Sequence, residues 1–272
     1  MVQSYTYKSL QFFLITFFIS WTCGAFAIYA SWNPTFQHLL VPFFLAALSG
    51  PMLSAFIMLF KSRNIALWND FFQRLRPSSI KEKFVPLILL LFPCAIVLAF
   101  IVSIFFGQPI QQLSFIPESG DTLSHRINLL ALAGMASLSG PFEEIGWRGY
   151  GMDSLLSKWS LIKASLLFAA LWGLFHVPAF FISGLQAEFW SKGLFHIFLY
   201  FTTLFFLTII INWLYVKNNR SILAAIFFHS IADMCLALFH LTPVTWFILW
   251  VILLLISLVI IYRDKNLFFG KI

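Results

Sequence analysis

Eight stretches of this chain, each about 20 residues long, are nearly free of charge: 10–30, 38–60, 84–106, 127–150, 164–183, 194–216, 221–241 and 244–262. A helix rises about 1.5 Å per residue, so each run matches the roughly 30 Å of hydrocarbon in a bilayer. Lipid offers the backbone no hydrogen bonds, which leaves helices and closed barrels as the only spanning structures. The runs lack the strict alternation of a barrel strand facing lipid on one side and a lumen on the other. The expected fold class is therefore all-α: a polytopic transmembrane helix bundle of about eight spans. Composition excludes a water-soluble alternative. Hydrophobic residues make up 61% of the chain and charged residues 10%, against about a quarter charged in a soluble domain. With 35 Phe and 10 Trp, lipid has to solvate most of the apolar surface.

The net charge of +7 could suggest a nucleic-acid partner, but its distribution argues against one. With the N-terminus placed in the cytoplasm, every one of the 17 Lys and Arg except Arg126 and Lys192 falls on the cytoplasmic side. That asymmetry is the positive-inside rule, and it predicts an even span count with both termini cytoplasmic. The first run is too long for a cleavable signal and is expected to stay as an anchor. Loop 61–83 spaces Trp68, Phe71, Phe72 and Leu75 among basic residues, which predicts a short amphipathic helix at the membrane surface. The outer connection 107–126 reads as irregular and exposed. Residues 1–272 are expected to form a single integral membrane domain. Cys23, Cys94 and Cys235 are far apart within the runs and suggest neither a disulfide nor a metal site.

Ionisable groups in hydrocarbon cost at least about 2.5–3.5 kcal/mol each, so each needs a partner or a purpose. The fourth run contains Glu143, Glu144 and Arg148, the fifth His176, and the seventh His229 and Asp233. Glu144 and Arg148 are four apart on one helix face and are expected to pair. Glu143 is turned about 100° away and lacks a local counter-charge, a setting that suits a general base. His229 and Asp233 also share a face. Counted from the cytoplasmic ends of their runs, His176, His229 and Glu143 lie roughly 18, 12 and 10 Å deep, so one polar layer can hold all three. Asp153 and Glu188 flank runs and read as solvated, and His38, His125, His196 and His240 as interfacial. Gly140, Gly146, Gly149 and Gly151 are expected to let helices approach closely around the site.

No Ser or Cys stands in a nucleophile setting. One Glu with two His could hold a metal, or could activate water directly. In the second case the carboxylate takes the proton and a His donates to the oxyanion that develops.

Glu-Glu-x-x-x-Arg, then a His four residues after an aromatic, then His-x-x-x-Asp, on successive helices, resembles the CAAX-processing and bacteriocin-processing membrane proteases (CPBP, or Abi). This family includes the type II CAAX prenyl endopeptidases, or Ras-converting enzymes. The motifs cover about 143–233, within active-site spans at about 127–241. The resemblance implies Glu143 as general base with His176 as its partner, and His229 and Asp233 stabilising the oxyanion. Glu144, Arg148 and Trp172 would support the site. Two positions depart from the family: Trp172 replaces the usual Phe, and Asp233 replaces Asn. A carboxylate cannot donate to an oxyanion, so Asp233 either carries a proton or orients His229.

The expected function is thus an intramembrane, glutamate-dependent endopeptidase without a cofactor. It would act on membrane-associated peptides or proteins, with its site in the cytoplasmic half of a bacterial plasma membrane. Zinc held by Glu143, His176 and His229 is the alternative chemistry. A non-catalytic immunity or partner-binding membrane protein, or a proton-relay transporter, is the alternative function.

Overall fold

The computed structural model describes residues 5–113, 123–184, 190, 193–239 and 241–270. The helices are α1 (Ser9–Trp32), α2 (Leu40–Leu48), α3 (Gly50–Ser62), α4 (Ile65–Arg74), α5 (Val85–Ile104), α6 (Leu123–Gly146) and α7 (Met152–Leu156). Then follow α8 (Leu161–His176), α9 (Leu194–Lys217), α10 (Ile222–Leu238), α11 (Pro243–Arg263) and α12 (Lys265–Phe269). There is no strand among the described residues. Five segments are long and apolar enough to cross a bilayer, and a bent pair makes a sixth if counted as one span. The chain is an all-α polytopic bundle.

α1 shows that lipid is the solvent. Its buried face carries Thr16, Ser20, Gly24 and Ala27, while Leu10 and Phe18 are 73% and 74% exposed on the other. Beyond Phe12 and Phe13, which are buried near its start, the inward residues of α1 are small and large apolar ones point outward, the arrangement of helices that pack in lipid.

The second apolar run is not one straight helix, as 38–60 had suggested. A 3₁₀ turn at Pro34–Leu39 precedes α2, and α2 and α3 meet at a 45° bend. Pro51, at the start of α3, has no N–H to continue the ladder from α2, so the helix restarts there.

α6 and α10 form the central pair, with α3 against the other side of α6 and α5 against α10. Two glycines set how closely these helices approach. A Cβ on Gly146 would lie 2.1 Å from the backbone carbon of Pro51 on α3, and one on Gly140 2.1 Å from Ser230 Oγ on α10. Pro141 sits inside α6 and cannot donate to the Ser137 carbonyl four residues back. Ser230 supplies the missing donor: its Oγ bonds Ser137 O at 2.7 Å. The helix break and the small residue beside it thus dock α10 onto α6, one residue from His229.

After α6 the chain makes a π-helical turn, Trp147–Gly151, before α7. Insertions of this kind are rare and concentrate at functional sites. The amphipathic helix expected in 61–83 forms as α4, but its apolar face docks on protein. Leu67 and Phe71 are buried, and Arg74 donates to the carbonyls of Arg148 and Gly149 at 2.9 and 2.8 Å.

Asp153, read above as solvated, is fully buried. It pairs with Arg74 at 3.2 Å and with Arg220, and accepts the Tyr215 hydroxyl at 2.6 Å. Arg220 also bonds both oxygens of Asp70. The reading failed because the partners come from α4 and the α9–α10 connection, which no local spacing relates to α7. His196 is half-buried and faces a cavity. Expectations for Glu188, Lys192, His240 and residues 114–122 lie outside the described residues.

Candidate active site

Ser139, Glu143 and Trp147 follow one another at intervals of four on α6 and its π-turn extension, so they share one helix face. Glu143, at the centre, is 1% exposed. Trp147 Nε1 donates to its Oε2 at 3.1 Å, and Trp172 Nε1, from α8, donates to the same oxygen at 2.7 Å. Among the described residues no hydrogen bond reaches Oε1 and no cation pairs with this carboxylate.

Glu144, the next residue, has the opposite surroundings. Arg148 Nη1 bonds both of its oxygens at 2.6 and 2.7 Å, and His229 Nδ1 lies 2.8 Å from Oε1. Arg148 is held in turn by Asn212 at 3.2 Å, and its guanidinium carbon stands 4.6 Å from the centre of the Phe168 ring. Asn212 continues the chain to Ser165. The expected Glu144–Arg148 pair is present and entirely buried. It takes further bonds from His229 on α10 and Asn212 on α9, while Arg148 Nη2 is buried without a hydrogen-bond partner among the described residues.

On α10, the two ring nitrogens of His229 face two carboxylates. Nδ1 meets Glu144, already paired with Arg148, and Nε2 lies 3.3 Å from Asp233 Oδ2. Ser139 Oγ bonds that same Asp233 oxygen at 2.5 Å. On α8, His176 Nδ1 is 2.8 Å from the Trp172 carbonyl. A carbonyl only accepts, so Nδ1 carries the hydrogen in this contact and Nε2 is the nitrogen with a free lone pair. Pro178 ends α8 as a helix just beyond this His, and the chain turns into a 3₁₀ segment.

These groups line one cavity of about 1070 Å³. Glu143, Trp172, His176, His229 and Asp233 share its wall with Phe44, Leu48, Tyr200, Leu204 and Trp246, so a small polar patch faces a mostly apolar space. Such a cavity suits an apolar ligand with one polar reacting group. A basic carboxylate and imidazoles in reach of that group can move protons to and from a bound water and stabilise an oxyanion. Among the described residues no three His, Cys, Asp or Glu stand together as a metal-binding group. The imidazole nitrogens of His229 and one oxygen of Glu143 already have protein partners.

All seven residues singled out in the sequence therefore meet in one region: five on the cavity wall, with Glu144 and Arg148 directly behind. Sequence reasoning missed Trp147, Ser139 and Asn212. Trp147 could have been found by the four-residue spacing from Glu143 that paired Glu144 with Arg148. Asn212, an amide inside an apolar run, signalled a buried partner but not which one.

Comparison with known proteins follows the same residues. The family described as "Type II CAAX prenyl endopeptidase Rce1-like" matches residues 125–235, which contain every polar group of the site described above, while Phe44, Leu48 and Trp246 of the cavity wall lie outside that range. A relative named "CAAX prenyl protease 2", from Methanococcus maripaludis, is 35% identical over 277 residues, with both chains covered in full. Both names fall on the CAAX-processing side of the wider resemblance. The chain belongs to the Rce1-like type II CAAX prenyl endopeptidase family, membrane-embedded hydrolases of peptide bonds.

Proposed function

We propose that this protein is a glutamate-dependent endopeptidase that cleaves membrane-associated peptides by direct attack of water, without a metal. Glu143 takes the proton of the attacking water and His176 assists. Glu144 holds the His229 ring through Nδ1, and the Nε2–H that faces Asp233 Oδ2 in the resting site turns to the oxyanion of the tetrahedral intermediate, with Asp233 as its partner between turnovers. As the intermediate collapses the scissile C–N bond breaks, and the proton that Glu143 took from the water passes to the leaving amine, directly or through His176, which restores the carboxylate. Glu144 and Arg148 tie α6, which carries Glu143, to α10, which carries His229 and Asp233.

The observation that carries this reading is the contrast between the adjacent carboxylates. Glu144 has a guanidinium and an imidazole, whereas Glu143 faces the cavity with neutral donors alone. A general base has to stay free to accept a proton, and a paired carboxylate is not free. The apolar cavity supports a lipid-anchored or apolar peptide as substrate, and the relative's name makes a prenylated C-terminal peptide the first to try. The charge asymmetry supports an orientation with both termini and the site towards the cytoplasm, in a cell membrane.

The test is cleavage of tagged lipidated and unlipidated peptides by purified wild type and Glu143→Ala, with and without a chelator. Wild type is expected to cut in both conditions and Glu143→Ala in neither. Cleavage by a correctly folded Glu143→Ala protein overturns the base assignment. Chelator-sensitive activity with stoichiometric zinc overturns the metal-free one.

A further inference from the structure

The two indole N–H groups on Glu143 stand apart from anything that catalysis by a Glu and two His requires. Trp147 and Trp172 come from different helices, both are essentially fully buried, and both end on one oxygen, Oε2. An indole donates and cannot accept. The second oxygen, Oε1, receives no bond among the described residues, and the side chain lines the cavity.

Each ring is fixed from several sides. Trp147 packs edge-on against Phe168 and Phe175 and is stacked on Phe13. Trp172 meets the rings of both His176 and His229 edge-on, at 5.5 and 5.3 Å between centroids. Neither indole can swing away without disturbing α1, α8 or the imidazoles, so the carboxylate is held by rigid donors rather than by flexible side chains. Trp147 also heads the π turn, whose extra residue changes the register between Glu143 and everything after it.

We infer that Trp147 and Trp172 are positioning residues that clamp Glu143 through Oε2 and so dedicate Oε1 to the attacking water. This inference rests on Glu143 being the general base. The physical case is that a base in an apolar cavity faces two conflicting demands. Its charge has to be solvated, or it costs several kcal/mol to bury. A cation that solvated it would also engage the lone pairs needed for the proton. Two neutral N–H dipoles meet the first demand and leave the second oxygen open, as charge-assisted bonds to a carboxylate that carry no charge of their own. Trp172 thereby has a different task from the Phe usual at its position, since Phe has no N–H to give.

The experiment replaces each Trp singly by Phe and, separately, by benzothienylalanine, which keeps the shape of the indole and exchanges its N–H for sulfur. Turnover and KM are measured on the same membrane peptide, alongside thermal unfolding in detergent and a Glu143→Ala control. Losing one charge-assisted bond is expected to lower kcat roughly tenfold to a hundredfold with KM unchanged, in the benzothienyl variants as in the Phe variants, and removal of both donors to lower it further. Benzothienyl variants that unfold at the wild-type temperature and keep wild-type kcat overturn the clamp while leaving the base assignment intact. A change confined to KM also overturns it, because it makes Trp172 a substrate contact. If Glu143→Ala still turns over, the base assignment itself has failed, whatever the Trp variants do.

Discussion

Two buried charged regions of this bundle use opposite strategies. Around Asp153, at the end that carries most of the basic residues, each carboxylate is matched to guanidinium: Arg74 and Arg220 on Asp153, Arg220 again on Asp70, with Tyr215 between. Around Glu143, in the cavity wall, the charge is met by two indoles and no cation. The first region is saturated and ties α4, α7 and the α9–α10 connection together. The second is left unsaturated on one oxygen. Charge saturation marks structure here, and its absence beside an open cavity marks the reacting group. The difference even separates neighbours in sequence, since Glu144 belongs with the saturated region and Glu143 does not.

The largest effect expected from breaking that comparison is on Glu144. Replacement by Ala strands Arg148 and one face of His229, and removing one partner of a buried pair costs about 3–5 kcal/mol. Thermal unfolding of Glu144→Ala in detergent should show a protein much less stable than Glu143→Ala, in which no cation loses its partner. Equal losses for the two would erase the distinction drawn between them.

Asp153→Asn should come next, at about 1–3 kcal/mol, because Asn keeps some hydrogen bonds but no longer compensates Arg74 and Arg220. Its kcat should stay near wild type in the folded protein, as the cluster touches no reacting group. A fall in kcat without a fall in stability would link the cluster to catalysis instead.

The pH dependence of stability sharpens the same point. Burial pushes the Asp153 carboxyl up, but the guanidiniums of Arg74 and Arg220 and the Tyr215 hydroxyl outweigh it and hold it below the usual carboxylate range. A carboxyl depressed in the folded state contributes stability that is complete above its unfolded value and lost as pH falls through the folded one. Heat stability should therefore decline below about pH 4, and Asp153→Asn should flatten that decline. An acid limb unchanged in the variant would assign it to other groups.

The smallest effect is expected at Asp233. With its Oδ2 between Ser139 and the His229 ring, Asp233→Asn preserves a polar partner for His229 and should keep activity within about tenfold of wild type. Complete loss would require the carboxylate itself and count against the oxyanion assignment shared with His229.

How much of this was visible in the sequence differs between the two regions. Apolar runs of the right length announced the helices, because bilayer thickness imposes a length that no soluble fold requires. The Glu144–Arg148 and His229–Asp233 pairs were legible because helical spacing alone puts them together. The convergence of Glu143, Trp172, His176 and His229 was suggested by depth along three runs, but which ring faces which carboxylate depends on how α8 and α10 rotate against α6. The Asp153 cluster was misread for the same reason, its cations lying on α4 and beyond α9. The bend between α2 and α3 was signalled by Pro51 and passed over in favour of a continuous apolar run. Docking of α10 through Ser230 onto the carbonyl freed by Pro141 needs both helices in place before it means anything.

The central claim, that Glu143 works as a base by virtue of its unpaired oxygen, is tested most directly by the turnover of Glu143→Gln on a peptide that wild type cleaves. The amide keeps the size of the side chain and an oxygen for the two indoles, but it has no basic oxygen to take a proton. The prediction is a fall in kcat of about 10²- to 10⁴-fold with wild-type thermal stability; a folded Glu143→Gln protein that turns over at the wild-type rate would contradict it.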